Sequence, residues 1–320
     1  MKRVIVTDIN TFGIQEAEVP KIECDEVLVK MYTASVCSQT DLHILEGTHP
    51  PAGPFPTIFG HEGAGVVEKV GSKVKDYKPG DRVAVRGHDS GCYSEYCRVS
   101  LKDLSKIPDG VSFEIASISE IAGGSYCLVR QTVELGDTVI ILGQGASGLV
   151  GTQLAKASGA RLTVVSDISP AKRALAKEFG ADYVIDPTKT DVLAFAKEVT
   201  NGKMFDVALE YVGIPQTMQL LPYLIRQQGM IGIFGACCTA VPQFDMMEFH
   251  MRFAKMVSTG YEYAYSAYPY DRTISLIDAG ILKLDKFITH RLPMSELHKA
   301  FDIIRSKDDD AIKTIIDVCS

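Results

Sequence analysis

The pattern of apolar and polar positions changes character near Thr138. Before it, short alternating or apolar runs (Arg3–Thr7, Glu26–Met31, Gly65–Val70, Arg82–Val85 and Tyr93–Val99) are separated by Gly, Pro and Asp turns. Such spacing predicts a small β-barrel with irregular loops, interrupted by a Pro-rich loop from Thr48 to Pro56. From Thr138 onward, strand-like runs alternate with helical patterns: Thr138–Leu142, Leu162–Ser166, Asp182–Ile185, Asp206–Tyr211, Met230–Phe234 and Met256–Thr259. This βαβ rhythm predicts an α/β domain, a parallel sheet with helices on both faces. One helix is signposted: Ser169 as N-cap, Pro170 at the first helical position and Gly180 as the stop. After about Ala264 the pattern is mixed again, with a helix near Tyr270–Ala279, a strand near Lys286–Thr289 and a helix near Ser295–Ser306. The simplest arrangement is one domain split between residues 1–122 and 264–320, with residues 123–263 forming the sheet domain between them.

Composition narrows the function classes. At 320 residues, 46% hydrophobic and 23% charged, the chain can bury two sizeable cores. A formal charge of -7 lacks the basic excess of a phosphate-tracking surface, so no nucleic-acid partner is expected. The start, MKRVIVTDIN, is too polar for a signal peptide, and no run approaches the ~20 apolar residues of a membrane span. The eight cysteines, at 24, 37, 92, 97, 127, 237, 238 and 319, are too scattered for a disulfide scaffold; a reduced, cytoplasmic protein is expected. Alternate tyrosines from Tyr261 to Tyr270 fit a strand edge or a subunit contact at least as well as a sugar-binding wall, and Cys237-Cys238 reads as two ordinary small residues.

Gly143-Gln144-Gly145-Ala146-Ser147-Gly148 is a G-x-G-x-x-G that follows the strand TVIIL and opens a helical pattern. In that setting the glycines allow a tight turn and close approach to a pyrophosphate, which the helix N-terminus can bind through its free N–H groups. Nineteen residues beyond Gly148, Asp167 ends the next strand. A carboxylate there can hold ribose hydroxyls and repel a 2′-phosphate, which favours NAD, although Lys172 and Arg173 stand near enough to tolerate NADP. Val212-Gly213 and Gly235 end later strands, where cofactors lie in such sheets.

Cys37 in ASVCSQTDLH, and His61 with Glu62 in FGHEGAGVV, supply the thiolate, imidazole and carboxylate of a catalytic zinc site. With them the chain resembles the zinc-dependent medium-chain dehydrogenase/reductase family. GHE before a Gly-rich strand, Val70-Gly71, Pro79-Gly80-Asp81-Arg82-Val83, the cofactor loop, Phe179-Gly180-Ala181-Asp182 and Ile288-Thr289-His290 follow in that family's order. The resemblance implies a GroES-like β-barrel catalytic domain around a Rossmann doubly wound sheet. It also implies a zinc-dependent enzyme that moves a hydride from a secondary alcohol to NAD, working as a homodimer or homotetramer. By the same resemblance Cys37 and His61 match zinc ligands, and either Glu62 or Glu120 in ISEIAGG is the third. Glu at position 120 matches the polyol branch, where simple alcohol dehydrogenases carry Cys, so a polyol-like substrate is expected. Thr40 would touch the substrate oxygen, Asp41 would orient the zinc histidine and His43 would end a proton relay. Thr40 stands three residues after Cys37, one more than the family's spacing, which leaves Ser38 and Gln39 as rivals. Members with a second, structural zinc carry four clustered cysteines; the matching stretch here holds only Cys92 and Cys97, so one zinc per chain is expected. The rival readings are a zinc-free quinone or enone reductase on the same frame, and a non-catalytic dinucleotide-binding redox sensor.

Overall fold

The computed structural model describes residues 1–48, 55–87, 90–237, 243–259, 270–306 and 310–319. The tyrosines from 261 to 268, Cys238, most of the Pro-rich loop and the expected boundary at 263/264 lie outside the described residues. Strands β1 (Lys2–Asp8), β2 (Thr11–Glu16) and β3 (Glu26–Ser35) lead into the short helix α1 (Thr40–Leu45). Next come β4 (Glu62–Val70), β5 (Arg82–Arg86), β6 (Tyr96–Ser100), β7 (Leu104–Lys106), α2 (Phe113–Ser117) and α3 (Ser119–Thr132). An alternation follows: β8 (Thr138–Leu142), α4 (Ala146–Ala157), β9 (Leu162–Ser166), α5 (Pro170–Glu178), β10 (Tyr183–Ile185), α6 (Val192–Val199) and β11 (Phe205–Glu210). It continues through α7 (Pro215–Leu224), β12 (Ile225–Ile233), α8 (Met246–Met251) and β13 (Lys255–Ser258). The last elements are α9 (Tyr270–Asp278), β14 (Ile288–Pro293), α10 (Leu297–Ser306) and β15 (Lys313–Asp317). The chain divides into two compact units, Met1–Gly123 with Ser266–Ser320, and Gly124–Tyr265.

In the first unit the sheet runs β14-β15-β3-β4-β5-β7, and β6 pairs with β3. Val27, Val29, Met31, Val83 and Val85 are buried on these strands, and Phe12 and Phe59 pack on Phe301 of α10. Register decides what this sheet can do. Ser35 of β3 lies opposite Glu62 of β4, and Glu62 lies opposite Arg86 of β5. Directly opposed residues share a face, so three polar side chains form one row across the sheet. The C-terminal strand β15 adds itself beside β3, with Ile315 opposite Ser35.

In the second unit, six parallel strands run β10-β9-β8-β11-β12-β13. All five residues of β8 are buried, as expected of a strand covered on both faces. The chain runs from β8 outward to β10 and returns to β11 at the other side of β8, which creates a topological switch point. Ligands of such sheets sit beyond the carboxyl ends of the strands there. The signposted helix forms as expected: the Ser169 hydroxyl accepts from Lys172 N, and Gly180 takes φ +99°. Among the described residues no helix is long and apolar enough to cross a membrane.

Several boundaries differ from expectation: β3 runs on to Ser35, β4 starts at Glu62 and β12 starts at Ile225. β6 starts at Tyr96 rather than Tyr93, because Tyr93 turns its ring into the core and Ser94 makes only an isolated bridge with Arg3. β14 starts at Ile288, since Asp285–Phe287 winds into a 3₁₀ turn that buries Phe287.

Candidate active site

Cys37 leaves the end of β3, and His61 and Glu62 enter β4 beside it. The ligand atoms of Cys37, His61 and Glu62 all lie within 4.8 Å of one another. Asp41 is wholly buried behind them: Oδ2 accepts from Cys37 N at 3.0 Å and from the Tyr93 hydroxyl at 2.6 Å. Its Oδ1 makes no hydrogen bond of ordinary length but faces His61 Nδ1 at 3.5 Å. With Nδ1 turned to Asp41, His61 Nε2 faces the carboxylates, 4.0 Å from both Glu62 Oε1 and Glu120 Oε2. A thiol, an imidazole nitrogen and a carboxylate converge here, backed by a buried acid that fixes the imidazole. That donor set fits zinc.

The surroundings set the charge. Burial opposes protonation of His61, but the hydrogen bonds to Asp41 and Cys37 and the charge of Glu120 outweigh it, holding its pKa well above the ordinary 6.5. Glu62 accepts from Lys313 Nζ at 2.7 and 2.5 Å and from the Ser35 hydroxyl. Burial disfavours the Lys313 cation too, yet Glu62 and Cys37 together raise its pKa. Glu120, at the start of α3, is raised first by burial and then by Glu62, with His61, Arg86 and Lys313 pulling the other way. Thr40 opens α1, half-buried, whereas Ser38 is exposed. His43, a turn later, holds Thr48 Oγ1 at 2.7 Å from its Nδ1.

The cofactor loop lies in the other unit. Gly143 takes φ +91°, and a Cβ on it would sit 2.6 Å from Val212 Cγ2; a Cβ on Gly148 would sit 2.0 Å from the Gly143 carbonyl oxygen. Gly145 precedes α4 with no side chain capping the helix, and it is exposed. The first N–H groups of α4, beginning at Ala146 and Ser147, are thus open to an anion. Asp167 is fixed by Gln144 N at 2.6 Å and Ser169 N at 2.8 Å. It lines a cavity of about 450 Å³ with Gly143, Ile168, Val192 and Val212. Arg173 Nη1 donates to the carbonyls of Asp167 and Ile168, and its Nη2 pairs with Asp186 at 3.3 Å. Lys172 contributes its backbone N–H to the Ser169 cap. Val212, Gly213 and Gly235 are drawn together by Glu210, whose buried carboxylate accepts from Val212 N, Gly213 N and Thr217 Oγ1, and whose carbonyl accepts from Gly235 N. A mainly apolar cleft lined by Asp167 and Asp191, beside an uncapped helix start, suits a dinucleotide.

Known proteins carry the same frame. Residues 23–109 match the family described as alcohol dehydrogenase GroES-like domain, and residues 146–275 match zinc-binding dehydrogenase. An L-threonine 3-dehydrogenase from Pyrococcus abyssi is 31% identical over 91% of both chains. The chain belongs to the zinc-dependent medium-chain dehydrogenase/reductase family. A mouse (Mus musculus) sorbitol dehydrogenase is 29% identical over 90% of this chain and 88% of its own. Among solved structures, an Escherichia coli oxidoreductase/dehydrogenase of unknown specificity, involved in membrane biogenesis, superposes with a TM-score of 0.87 at 27% identity, covering 99% and 98% of the two chains. As a member of this family the protein is a zinc-dependent oxidoreductase of alcohols or polyols, and it works with a nicotinamide cofactor.

Sequence reasoning brought Cys37, Asp41, His61, Glu62 and Glu120 to one place, and the fold assembles them there. It missed Tyr93, Arg86 and Lys313. Lys313 is 251 positions from Glu62, and only the closing strand β15 brings it in. Tyr93 lay inside an expected strand, where an aromatic reads as packing.

Proposed function

We propose that Cys37, His61 and Glu62 hold one zinc ion per chain, and that the enzyme oxidises a secondary alcohol of a polyol or related substrate with NAD. The convergence of these three donors, backed by Asp41, is the observation that carries the reading. Zinc held there would supply Lewis acidity to a substrate hydroxyl, and a bound nicotinamide would supply the hydride acceptor.

The chain's own residues do the rest. Asp41 keeps His61 in the orientation that aims Nε2 at the cluster. Lys313 neutralises Glu62 and pins it in place. Thr40 holds the substrate hydroxyl, its half-buried position favouring it over exposed Ser38. His43, fixed through Nδ1 by Thr48, carries the proton onward from its other nitrogen. Asp167 binds the adenosine ribose, and Arg173 is already committed to two carbonyls and Asp186, so NAD is the better fit. Glu120 in place of a thiol supports a polyol over a simple alcohol. A single zinc is supported by Cys92 and Cys97 being the only thiols in the stretch where a second site would need four ligands. The reading extends to a homodimer or homotetramer, measurable by light scattering.

Cys37→Ser tests the core of this account. The variant should lose both bound zinc and alcohol-dependent NAD reduction; a variant that turns over without metal would remove the zinc assignment.

A further inference from the structure

Two cations, buried Lys313 and half-buried Arg86, stand beside the Cys37, His61 and Glu62 cluster, and each serves a different glutamate. Lys313 grips Glu62 at hydrogen-bond distance. Arg86 stands by Glu120: its Nε lies 3.6 Å from Glu120 Oε1, and its Nη1 lies 3.4 Å from Asp103 Oδ1. The other oxygen of Glu120 is 4.0 Å from His61 Nε2. Glu120 is therefore held between an arginine on one side and the imidazole that faces the metal position on the other.

The arginine is itself anchored. It ends β5, where Val85 pairs with Leu104 of β7, and that pairing sets Asp103, the residue before Leu104, against the guanidinium. Asp103 is nearly buried and the Arg86 side chain is only 13% exposed, so little water screens these charges. A carboxylate in such a site settles where the pull of neighbouring cations balances. Glu120 is drawn one way by the metal position and the other by a cation that Asp103 keeps from following.

We infer that Arg86 is a positioning residue that holds Glu120 beside the metal and off it. This rests on the reading of Cys37, His61 and Glu62 as the zinc ligands. A catalytic zinc keeps three protein ligands and an open position. A fourth protein ligand would fill that position, bind the metal more tightly and shut out the substrate. Arg86 thereby keeps a coordination place open, and Asp103 keeps Arg86 in place.

The sign of the effect separates this role from a merely structural one. Cobalt(II) replaces zinc in the metal-free protein, and its visible bands report the ligand set and coordination geometry. Wild type and Glu120→Gln should give the same spectrum. Arg86→Met should shift the bands as a carboxylate takes the open position in place of solvent, and it should slow metal release to a chelator by about tenfold, while turnover falls. Adding Glu120→Gln to Arg86→Met should restore the wild-type spectrum and release rate, and Arg86→Lys should stay close to wild type. Should Arg86→Met fail to fold, Asp103→Asn, which loosens the arginine and leaves its charge, should shift the bands in the same direction. An unchanged spectrum in Arg86→Met or in its stand-in, a spectral change in Glu120→Gln alone, or faster metal release would overturn the inference about Arg86 and leave the three-ligand site intact. Failure of wild type to take up cobalt would overturn both.

Discussion

At Asp41 one buried carboxylate serves three partners: the Cys37 backbone, the Tyr93 hydroxyl and His61 Nδ1. Partners behind a metal-bound histidine typically change metal affinity 10–100-fold. Tyr93→Phe keeps the ring that packs on Phe59 and removes the hydroxyl, with its 2.6 Å hydrogen bond to Asp41 and its longer 3.3 Å one to the Ser35 carbonyl. It should therefore fold normally and release zinc roughly tenfold faster to a chelator; an unchanged release rate would show that Asp41 needs no help from Tyr93. Asp167 makes a second test at this scale. Hydrogen bonds to a charged group contribute about 1.5–3 kcal/mol, so Asp167→Ala should raise the KM for NAD about tenfold or more with a smaller change in kcat. Steady-state kinetics with NAD and NADP measure this, and a KM that stays put would remove Asp167 from the cofactor site.

At the scale of elements, the sheet turns long-range sequence separation into one row of chemistry. Ser35, Glu62 and Arg86 align because β3, β4 and β5 pair in that register, and β15 then delivers Lys313 to Glu62. The proposed ligand residues were legible in the sequence because a metal would need particular donor types close to recognisable turns. Their partners were not. An arginine at a strand end or a lysine before TIID has no local signature, and its role depends on which strand lies next to it. The parallel strands were legible because burial on both faces demands unbroken apolar runs, as in Thr138–Leu142 and Leu162–Ser166. β2 was not, with Thr11–Glu16 largely open to solvent and free of that demand.

The turn after β10 gives an element-scale prediction. The hydroxyl and N–H of Thr188, then Lys189 and Arg173, pull the Asp186 carboxyl from 3.8 down to about 2. Its folded pKa is depressed, so its stabilising contribution is complete above 3.8 and is lost as pH falls through about 2. Asp186→Asn should unfold at lower urea than wild type near neutral pH, and the gap between the two should close as pH drops through that window. A gap that persists unchanged at about pH 2 would mean that the charge of Asp186 contributes nothing.

At the scale of the whole molecule, each unit carries its own half of the proposed chemistry: the Cys37, His61 and Glu62 cluster in the unit built from both chain ends, the glycine loop in the parallel sheet. The net charge of -7 does not hinder binding of an anionic cofactor, because the start of α4 and the glycine loop present N–H groups locally. Metal and cofactor are thus the two requirements of one reaction, and a single experiment addresses both. Zinc content by elemental analysis, measured on the same preparation as NAD reduction across polyols and simple alcohols, tests the central claim most directly. The account predicts one zinc per chain with turnover on a polyol; a zinc-free protein that reduces quinones or enones instead would contradict it.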